Sequence, residues 1–211
     1  IYTMPTVFKD DKGNLWVAWG TGDKTNPTDA NAQEKFFAVK DNNRSSTFGI
    51  NDLENITSGT YADSTTKNGW YMNLSGGGEK MLGDPVSFGG VVYFTTYTPP
   101  SGGDACSQGG TGTLYGISAT TGGGIFGVFD SGGHRVGSSR TMTVGTGIPS
   151  APILSMKPAG GSYGSGTSAA DVYLTVSGGG GSAERTTRVN FEPPTLANRT
   201  NLLYWKDRRL E

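Results

Sequence analysis

The chain has 211 residues, the length of one domain or of a large part of one. Its 17 basic and 18 acidic side chains nearly cancel, which excludes a strongly basic surface and argues against nucleic acid as the main partner. Glycine contributes 35 residues and proline 10, without a Gly-X-Y period, and both disfavour helix interiors. The composition therefore predicts an all-β protein with many turns.

Three segments along the chain share one order of features, which indicates an internal repeat. They cover residues 4–22, 83–99 and 150–178. Each begins with a proline and a short apolar strand, continues through a polar or glycine-rich turn, and ends in a stronger strand of aromatic and branched residues. Two further strands are predicted to complete each unit, at residues 35–41 and 69–74, 113–122 and 124–130, and 186–192 and 201–207.

Four meandering strands in each unit are the plan of a β-propeller blade. The prediction is an all-β fold that forms part of a modified β-propeller, with about three four-stranded antiparallel blades in a single domain over residues 1–211. The approximate blade limits are 4–74, 82–130 and 150–208. A closed ring usually has about 4–8 blades, so three blades would be part of one. The alternative is a two-sheet β-sandwich, which short strands and glycine-rich turns also fit.

The opening prolines lie farther apart than the usual blade period of about 40–50 residues, so the blades are expected to carry long insertions. These insertions are predicted at residues 42–68, 99–112 and 157–171, the first with a short helical turn within 48–56. Loops on a rigid β-scaffold are where binding functions usually lie. We therefore predict a binding surface on the first two insertions, with Tyr61 and Tyr97 as aromatic anchors. The alternative is that these loops are solvated connectors.

Motifs for catalysis and metal binding are weak in this sequence. Ser162 lies in a G-x-S-x-G match, but a nucleophile elbow needs a following acid and histidine, and the only histidine, His134, precedes it. The stretch 41–52 has oxygen ligands near the spacing of a calcium loop, yet Ser46 stands where that loop needs glycine. The prediction is a protein that is not an enzyme, with no catalytic, cofactor-binding or metal-binding residue in this chain.

Cys106 is the only cysteine, so no disulfide can form within the chain. No run of 18 apolar residues is present, and no membrane span is predicted. The chain begins at Ile1 without the pattern of a signal peptide, and it is expected to be a processed or excised piece of a longer protein.

Several blocks of the chain resemble one known family. They are LWVAWGTGD at 15–23, FFAVKDNN at 36–43, GWYMNLSGGGEKMLGDPVSFGGVVYFTTYTP at 69–99, and GGTGTLYGIS at 109–118 after Cys106. In content and order these blocks resemble the C-terminal domain of the PilY1 family of type IV pilus-associated proteins. The resemblance covers roughly residues 1–130, and near the end of the chain only LLYWKDR extends it.

The resemblance implies a modified β-propeller at the C-terminus of a long secreted protein of the bacterial cell surface, at the pilus tip or outer membrane. It implies a tip adhesin and a factor for pilus biogenesis and retraction control. The implied partners are minor pilins or the pilus tip, the remainder of its own propeller, and a host or surface ligand. The family's calcium loop lies upstream of the position of Ile1, so the resemblance places no cofactor in this chain. The resemblance does not decide whether Cys106 forms a disulfide with a residue outside the chain.

Two alternatives fit the same strand pattern. One is a sugar-binding or protein-binding propeller module of another kind. The other is a quinoprotein dehydrogenase-type propeller, whose quinone and calcium site often uses adjacent cysteines. This chain has no adjacent cysteines, and its Asp and Asn residues lie mostly in predicted turns.

Overall fold

A computed structural model of the protein describes residues 1–41, 45–63, 66–100, 109–156, 170–178 and 185–191. These ranges contain fifteen β-strands and one 3-10 helix, at Ile50–Asp52, so the predicted all-β class is confirmed. The 3-10 helix lies within the helical turn predicted at 48–56. No helix in the described ranges is long and apolar enough to cross a membrane.

The first sheet contains five strands, which are β1 Thr6–Lys9, β2 Leu15–Gly20, β3 Lys35–Lys40, β4 Glu54–Asn55 and β5 Gly69–Asn73. They lie side by side in the order β1-β2-β3-β5-β4. Only the β4–β5 pair of this sheet is parallel. Along β2 and β3 half-buried and buried residues alternate, because successive side chains of a strand point to opposite faces. The strands predicted for the first unit are therefore present, and β4 adds a short edge strand.

The second sheet also contains five strands, and it follows the first in the chain. They are β6 Lys80–Met81, β7 Val86–Phe88, β8 Val91–Thr98, β9 Thr111–Ser118 and β12 Thr141–Thr146. The order is β12-β9-β8-β6, and β7 also pairs with β8. The two short strands β6 and β7 both pair with the same edge of β8. β6 pairs near Tyr97, and β7 pairs near Tyr93.

The fourth strand of the second unit differs from the prediction. The sequence predicts it at 124–130, but Phe126–Phe129 (β10) pairs instead with Arg135–Ser139 (β11) in a separate hairpin. Asp130 closes this hairpin by accepting hydrogen bonds from the backbone N–H groups of Gly132 and His134, at 2.9 Å each. Because the chain turns back there, the edge of β9 is left to β12, a strand that the sequence analysis missed.

The third sheet contains β13 Ile153–Met156, β14 Ala170–Val176 and β15 Arg185–Phe191, antiparallel and in that order. β14 and β15 agree with strands predicted at 172–176 and 186–192. The last predicted strand, at 201–207, lies outside the described residues, as does most of the third predicted insertion.

In the described part of the chain, two hydrophobic cores join the three larger sheets face to face. The first core lies between the first and second sheets, where the rings of Phe36 and Phe94 stack at 4.0 Å. The second core joins the second and third sheets and includes Tyr93 and Leu174. β8 contributes to both cores, so seven of its eight residues are buried. The sheets thus form three layers, unlike a two-sheet sandwich. The described sheets close no ring, and the propeller stays a prediction.

Glu79 is a buried carboxylate at the start of the second sheet. It accepts hydrogen bonds from the hydroxyls of Thr96 at 2.6 Å and Tyr115 at 2.9 Å, and from the backbone N–H of Gly76 at 2.8 Å. Burial, together with the neighbouring Glu79 carboxylate, raises the pKa of Tyr115, so the phenol remains a hydrogen-bond donor. All of these partners belong to the protein itself, which makes Glu79 a structural residue.

Lys80, the next residue, is fully buried. Its ammonium donates to the backbone carbonyl oxygens of Pro27 at 3.2 Å, Asp29 at 2.6 Å and Gly78 at 2.9 Å. A buried ammonium is tolerated only where acceptors replace water, and here three carbonyl groups do so. Lys80 therefore ties the long loop between β2 and β3 to the second sheet.

The outer face of the first sheet carries a ladder of aromatic rings. Trp19 stacks on Phe37 at 5.2 Å, and Phe37 packs against Tyr71 at 6.0 Å. Val17 and Val39 lie on the same face, since side chains alternate along β2 and β3. These residues are half-buried, whereas the middle-layer strand β8 is buried on both faces. Among the described residues, this face is an apolar end of the stack.

We expect the outer face to cause concentration-dependent self-association, because large apolar patches in contact with water favour association. Phe37→Glu places a carboxylate at the centre of the face and should shift the chain toward monomer. Multi-angle light scattering over a range of concentrations measures both effects, and Lys24→Glu in an exposed loop is the control. A fully folded wild-type chain that stays monomeric at high concentration would contradict this expectation.

Candidate functional site

A pocket of about 170 Å³ opens between the first and second sheets. Its walls come mainly from the turn between β1 and β2, the loop after β4, and the connection between β9 and β10. We call it the Tyr61 pocket, and its lining residues are Asp10, Asp11, Lys12, Trp16, Tyr61, Asp63, Thr120 and Thr121. Loops supported by rigid strands, around a concave surface with an apolar floor, are a usual setting for binding.

Asp10 shapes the turn between β1 and β2. Its carboxylate accepts hydrogen bonds from the backbone N–H groups of Lys12 at 2.9 Å and Asn14 at 2.8 Å. The Asn14 amide and the Trp16 indole donate to it as well, at 2.7 and 3.0 Å. Burial alone would raise the pKa of Asp10, but these hydrogen bonds outweigh it and hold the pKa below the ordinary value. Gly13 completes the turn with a φ of 83°, a left-handed conformation that favours glycine.

Two aromatic rings form the floor of the pocket. Tyr61 meets Trp16 edge to face with ring centroids 6.0 Å apart, and Phe8 stacks on Trp16 at 6.1 Å. The Tyr61 hydroxyl donates to the carbonyl oxygen of Lys67 at 2.7 Å, and its backbone N–H donates to that of Thr121 at 2.9 Å. With both its ring and its backbone held, Tyr61 gives the pocket a fixed floor.

Asp63 stands at the rim between two lysines. Its Oδ1 is paired with Lys40 and its Oδ2 with Lys12. The Lys40 side chain is 10% exposed, and its ammonium lies 5.3 Å from the Trp16 ring and 5.4 Å from the Tyr61 ring. These distances lie within the range of cation–π interactions. The Lys12 side chain is 69% exposed.

The pKa values of this group follow from the same contacts. Hydrogen bonds from Lys12 and Lys40 hold the pKa of Asp63 below its ordinary value, in opposition to the effect of burial. Burial lowers the pKa of Lys40, but the hydrogen bond to Asp63, the interactions with the Tyr61 hydroxyl and the charge of Asp63 outweigh it and raise the pKa. Asp63 and Lys40 are therefore both ionised at neutral pH.

Arg140 holds the loop after β4 against the second sheet. Its guanidinium donates to the carbonyl oxygens of Gly122 at 2.7 Å and Thr57 at 3.2 Å, and also to that of Gly59. One side chain thus fastens two loops that form walls of the Tyr61 pocket. The pocket is built from parts that are fixed without a ligand.

The chain is similar in sequence and in fold to known proteins, although no family model matches it. In an alignment of 100 positions that covers 43% of the chain, it is 37% identical to the type IV pilus biogenesis factor PilY1 homolog of Xylella fastidiosa. The crystal structure of the Pseudomonas aeruginosa PilY1 C-terminal domain matches 88% of the chain with a TM-score of 0.53, at 19% sequence identity. The predicted resemblance to the PilY1 C-terminal domain is confirmed.

The likeness to PilY1 is partial in length. The chain spans 7% of the Xylella relative and 44% of the Pseudomonas domain. At 19% identity, the structural likeness to PilY1 concerns the fold.

The two tyrosines predicted as anchors are both buried in this PilY1-like fold. Tyr61 is 3% exposed and belongs to the floor of its pocket, so it does not project into solvent. Tyr97 is 6% exposed because it lies on β8, the strand covered on both faces, and Gly110 leaves room for its ring. Tyr97 does not line the pocket, so the structure does not bring the two tyrosines into one site. A binding role for either stays a prediction.

The other candidate residues do not form a site in the described part of the chain. His134 lies at the tip of the β10–β11 hairpin with its side chain 83% exposed, and its Nδ1 is 3.4 Å from the Asp130 carboxylate. Within the described ranges, no group of three or more His, Cys, Asp or Glu side chains is placed to hold a metal ion. Ser162 and Cys106 lie outside those ranges.

The sequence analysis missed the charged rim of the pocket. Lys12, Lys40 and Asp63 are far apart in the chain, and only the packed fold brings them together. One signal was available, because alternation along KFFAVK puts Lys40 on the same face as the core residue Phe36. A lysine in phase with core residues indicates a buried charge that needs a partner.

Proposed function

We propose that this chain is part of a type IV pilus-associated protein of the bacterial cell surface and that it acts by binding other proteins. One observation supports this most: the sequence and the fold are independently similar to PilY1 proteins, one of them named as a type IV pilus biogenesis factor. Within that role we propose tip adhesion, pilus biogenesis and control of retraction, at the pilus tip or outer membrane.

The proposed partners are minor pilins or the pilus tip, the remainder of the same propeller, and a host or surface ligand. Three stacked sheets provide a rigid support, and the Tyr61 pocket lies among loops fixed to it, an arrangement suited to recognition. The apolar outer face of the first sheet suits contact with another sheet of the same propeller, because its aromatic ladder would then be buried.

We propose binding and not catalysis. A catalytic site needs an acid, base, nucleophile or metal held within mutual reach. In the described residues, His134 is exposed at a hairpin tip, and the Asp10 and Asp63 carboxylates are engaged in hydrogen bonds and ion pairs. We likewise propose that this chain holds no cofactor, and that any calcium of the parent protein is bound outside it.

The aromatic residues disfavour the sugar-binding alternative. A sugar-stacking platform needs a ring face on an open surface, but Trp16 and Tyr61 are largely buried and lie on the floor of a pocket of only about 170 Å³. The rings of Trp19, Phe37 and Tyr71 are packed on one another along the first sheet. Protein binding therefore accounts better for these surfaces.

Deletion of the region that encodes this chain, in a bacterium that carries it and makes type IV pili, tests the proposed function. We expect fewer surface pili by electron microscopy, loss of twitching motility and weaker surface attachment, since biogenesis and adhesion would both fail. Complementation with the intact gene is the control and should restore all three. Normal pili, motility and attachment in the deletion strain would refute the proposal.

A further inference from the structure

We propose that the Tyr61 pocket receives a cationic side chain, lysine or arginine, from a partner protein, and that the Lys12 ammonium occupies this position in the free chain. The inference rests on the proposed function, in which the chain acts by binding proteins. It deepens that function by naming the chemistry of the residue that the partner inserts.

The two oxygens of Asp63 differ in how firmly they are held. Oδ1 is paired with Lys40, whose buried ammonium is fixed beside the Trp16 and Tyr61 rings. Oδ2 is paired with Lys12, whose side chain is 69% exposed and belongs to a surface turn. An exposed ion pair stabilises a fold little, so the Lys12 ammonium can be replaced without loss of structure. The contact of Lys12 with Asp63 also shows that the rim accepts an ammonium group.

The remaining charge at the pocket favours a cation as well. The carboxylates of Asp10 and Asp63 line it, and Asp63 is paired with the ammonium groups of Lys12 and Lys40. The four hydrogen bonds to Asp10 come from uncharged donors, two backbone N–H groups, an amide and an indole, so among the described residues no cation in contact cancels its charge. When Lys12 is displaced, the two carboxylates of Asp10 and Asp63 face one fixed ammonium, that of Lys40, so an entering ammonium or guanidinium would meet net negative charge.

The floor of the pocket suits the rest of a lysine or arginine side chain. Trp16 and Tyr61 supply an apolar surface below the charged rim. Lysine and arginine have long aliphatic stems that pack on apolar surface while the charged end stays at a polar rim. A pocket that is apolar below and acidic above matches that side chain better than it matches an acidic or a short polar one.

Titration of the isotope-labelled 211-residue chain with three blocked amino acids tests the proposal by nuclear magnetic resonance. The probes are N-acetyl-lysine amide, N-acetyl-norleucine amide, which keeps the stem without the charge, and N-acetyl-glutamate amide, which reverses the charge. We expect saturable shifts of the Trp16 indole N–H and the Tyr61 backbone N–H with the lysine probe only. Equal or stronger binding of either other probe would overturn the proposal, as would no saturable shift with the lysine probe.

Two substitutions are expected to act in opposite directions on the affinity for the lysine probe. Lys12→Ala removes the internal competitor and should tighten binding by about two- to five-fold, the range that corresponds to an exposed ion pair. Asp63→Asn removes the acceptor and should weaken binding by about ten-fold or more, the loss typical of one charge-assisted hydrogen bond. Lys9→Ala, an exposed lysine at the end of β1, is the matched control and should change nothing.

The opposite signs keep the test independent of folding defects. A damaged pocket would weaken binding in every variant, so tighter binding by Lys12→Ala cannot come from misfolding. Unchanged or weaker binding by Lys12→Ala would refute the role given to Lys12. Failure of the proposed function is separate, because a deletion strain with normal pili refutes the pilus role even if the pocket binds the lysine probe.

Discussion

Replacing Phe36 with alanine is expected to lower the free energy of unfolding by about 3–5 kcal/mol. Phe36 is fully buried, and its ring stacks on Phe94 at 4.0 Å and lies 6.0 Å from the Trp70 ring. Alanine would leave a cavity between the first and second sheets, and both rings would lose a partner. Denaturant unfolding followed by tryptophan fluorescence measures the change, since Trp16 and Trp70 lie in this core.

Phe37 provides a matched control for this substitution. It is the next residue on β3 and the same side chain, but it lies on the outer face and is half-buried. Phe37→Ala removes contacts with Trp19 and Tyr71 and is expected to lower the free energy of unfolding by about 1 kcal/mol. Equal losses in the two variants would be inconsistent with a core between these sheets.

Replacing Lys80 with methionine is expected to lower the free energy of unfolding by about 2–4 kcal/mol. Methionine fills similar space but donates no hydrogen bond, so the carbonyl oxygens of Pro27, Asp29 and Gly78 lose their common donor. The loss is smaller than three separate hydrogen bonds would give, because burial of an ammonium itself costs free energy. Denaturant unfolding measures the loss, and amide hydrogen exchange across residues 23–31 should become faster.

Lys24→Met is the control for Lys80, because Lys24 lies in the same loop and its side chain is exposed. We expect it to change the free energy of unfolding by no more than about 0.5 kcal/mol. If Lys80→Met were as stable as the wild type, with unchanged exchange in the loop, Lys80 would not be the anchor of that loop.

The order of the sheets could be predicted from the sequence because most strands carry their own pattern. LWVAWG and KFFAVK alternate large apolar residues between two faces, and that alternation is the same in the structure. β8, VVYFTTYT, is dense in aromatic and branched residues, which is typical of a strand covered on both faces. Such patterns depend only on neighbouring residues, so they can be recognised without knowledge of the rest of the fold.

β12 could not be predicted in this way, because its position depends on another part of the chain. TMTVGT is mostly exposed or half-buried and has few large apolar residues. It joins the second sheet only because the hairpin turn at Asp130 carries β10 away from the edge of β9. The pattern at 124–130 therefore correctly predicted a strand, but the prediction placed that strand in the wrong sheet.

The candidate site likewise has one part that neighbouring residues predict and another part that depends on contacts between distant residues. Tyr61 could be proposed from the sequence because an aromatic residue in a polar loop is conspicuous. The contact of Asp63 with Lys12 spans 51 residues and that with Lys40 spans 23, and neither leaves a pattern at a fixed spacing. Only the packing of the loop after β4 against the first sheet brings these charges together.

Glu79 and Lys80 stabilise the fold and do not determine which partner the protein binds. Both turn into the protein, where hydroxyl and carbonyl groups satisfy them, so neither is available to a partner. Because these contacts stabilise the fold, we expect the block around them to accompany this sheet arrangement whatever the protein binds. On the role proposed for the Tyr61 pocket, differences in binding are instead expected to follow Lys12 and Asp63, which lie outside that block. Identity over residues 76–80 therefore predicts a shared fold and not a shared binding partner.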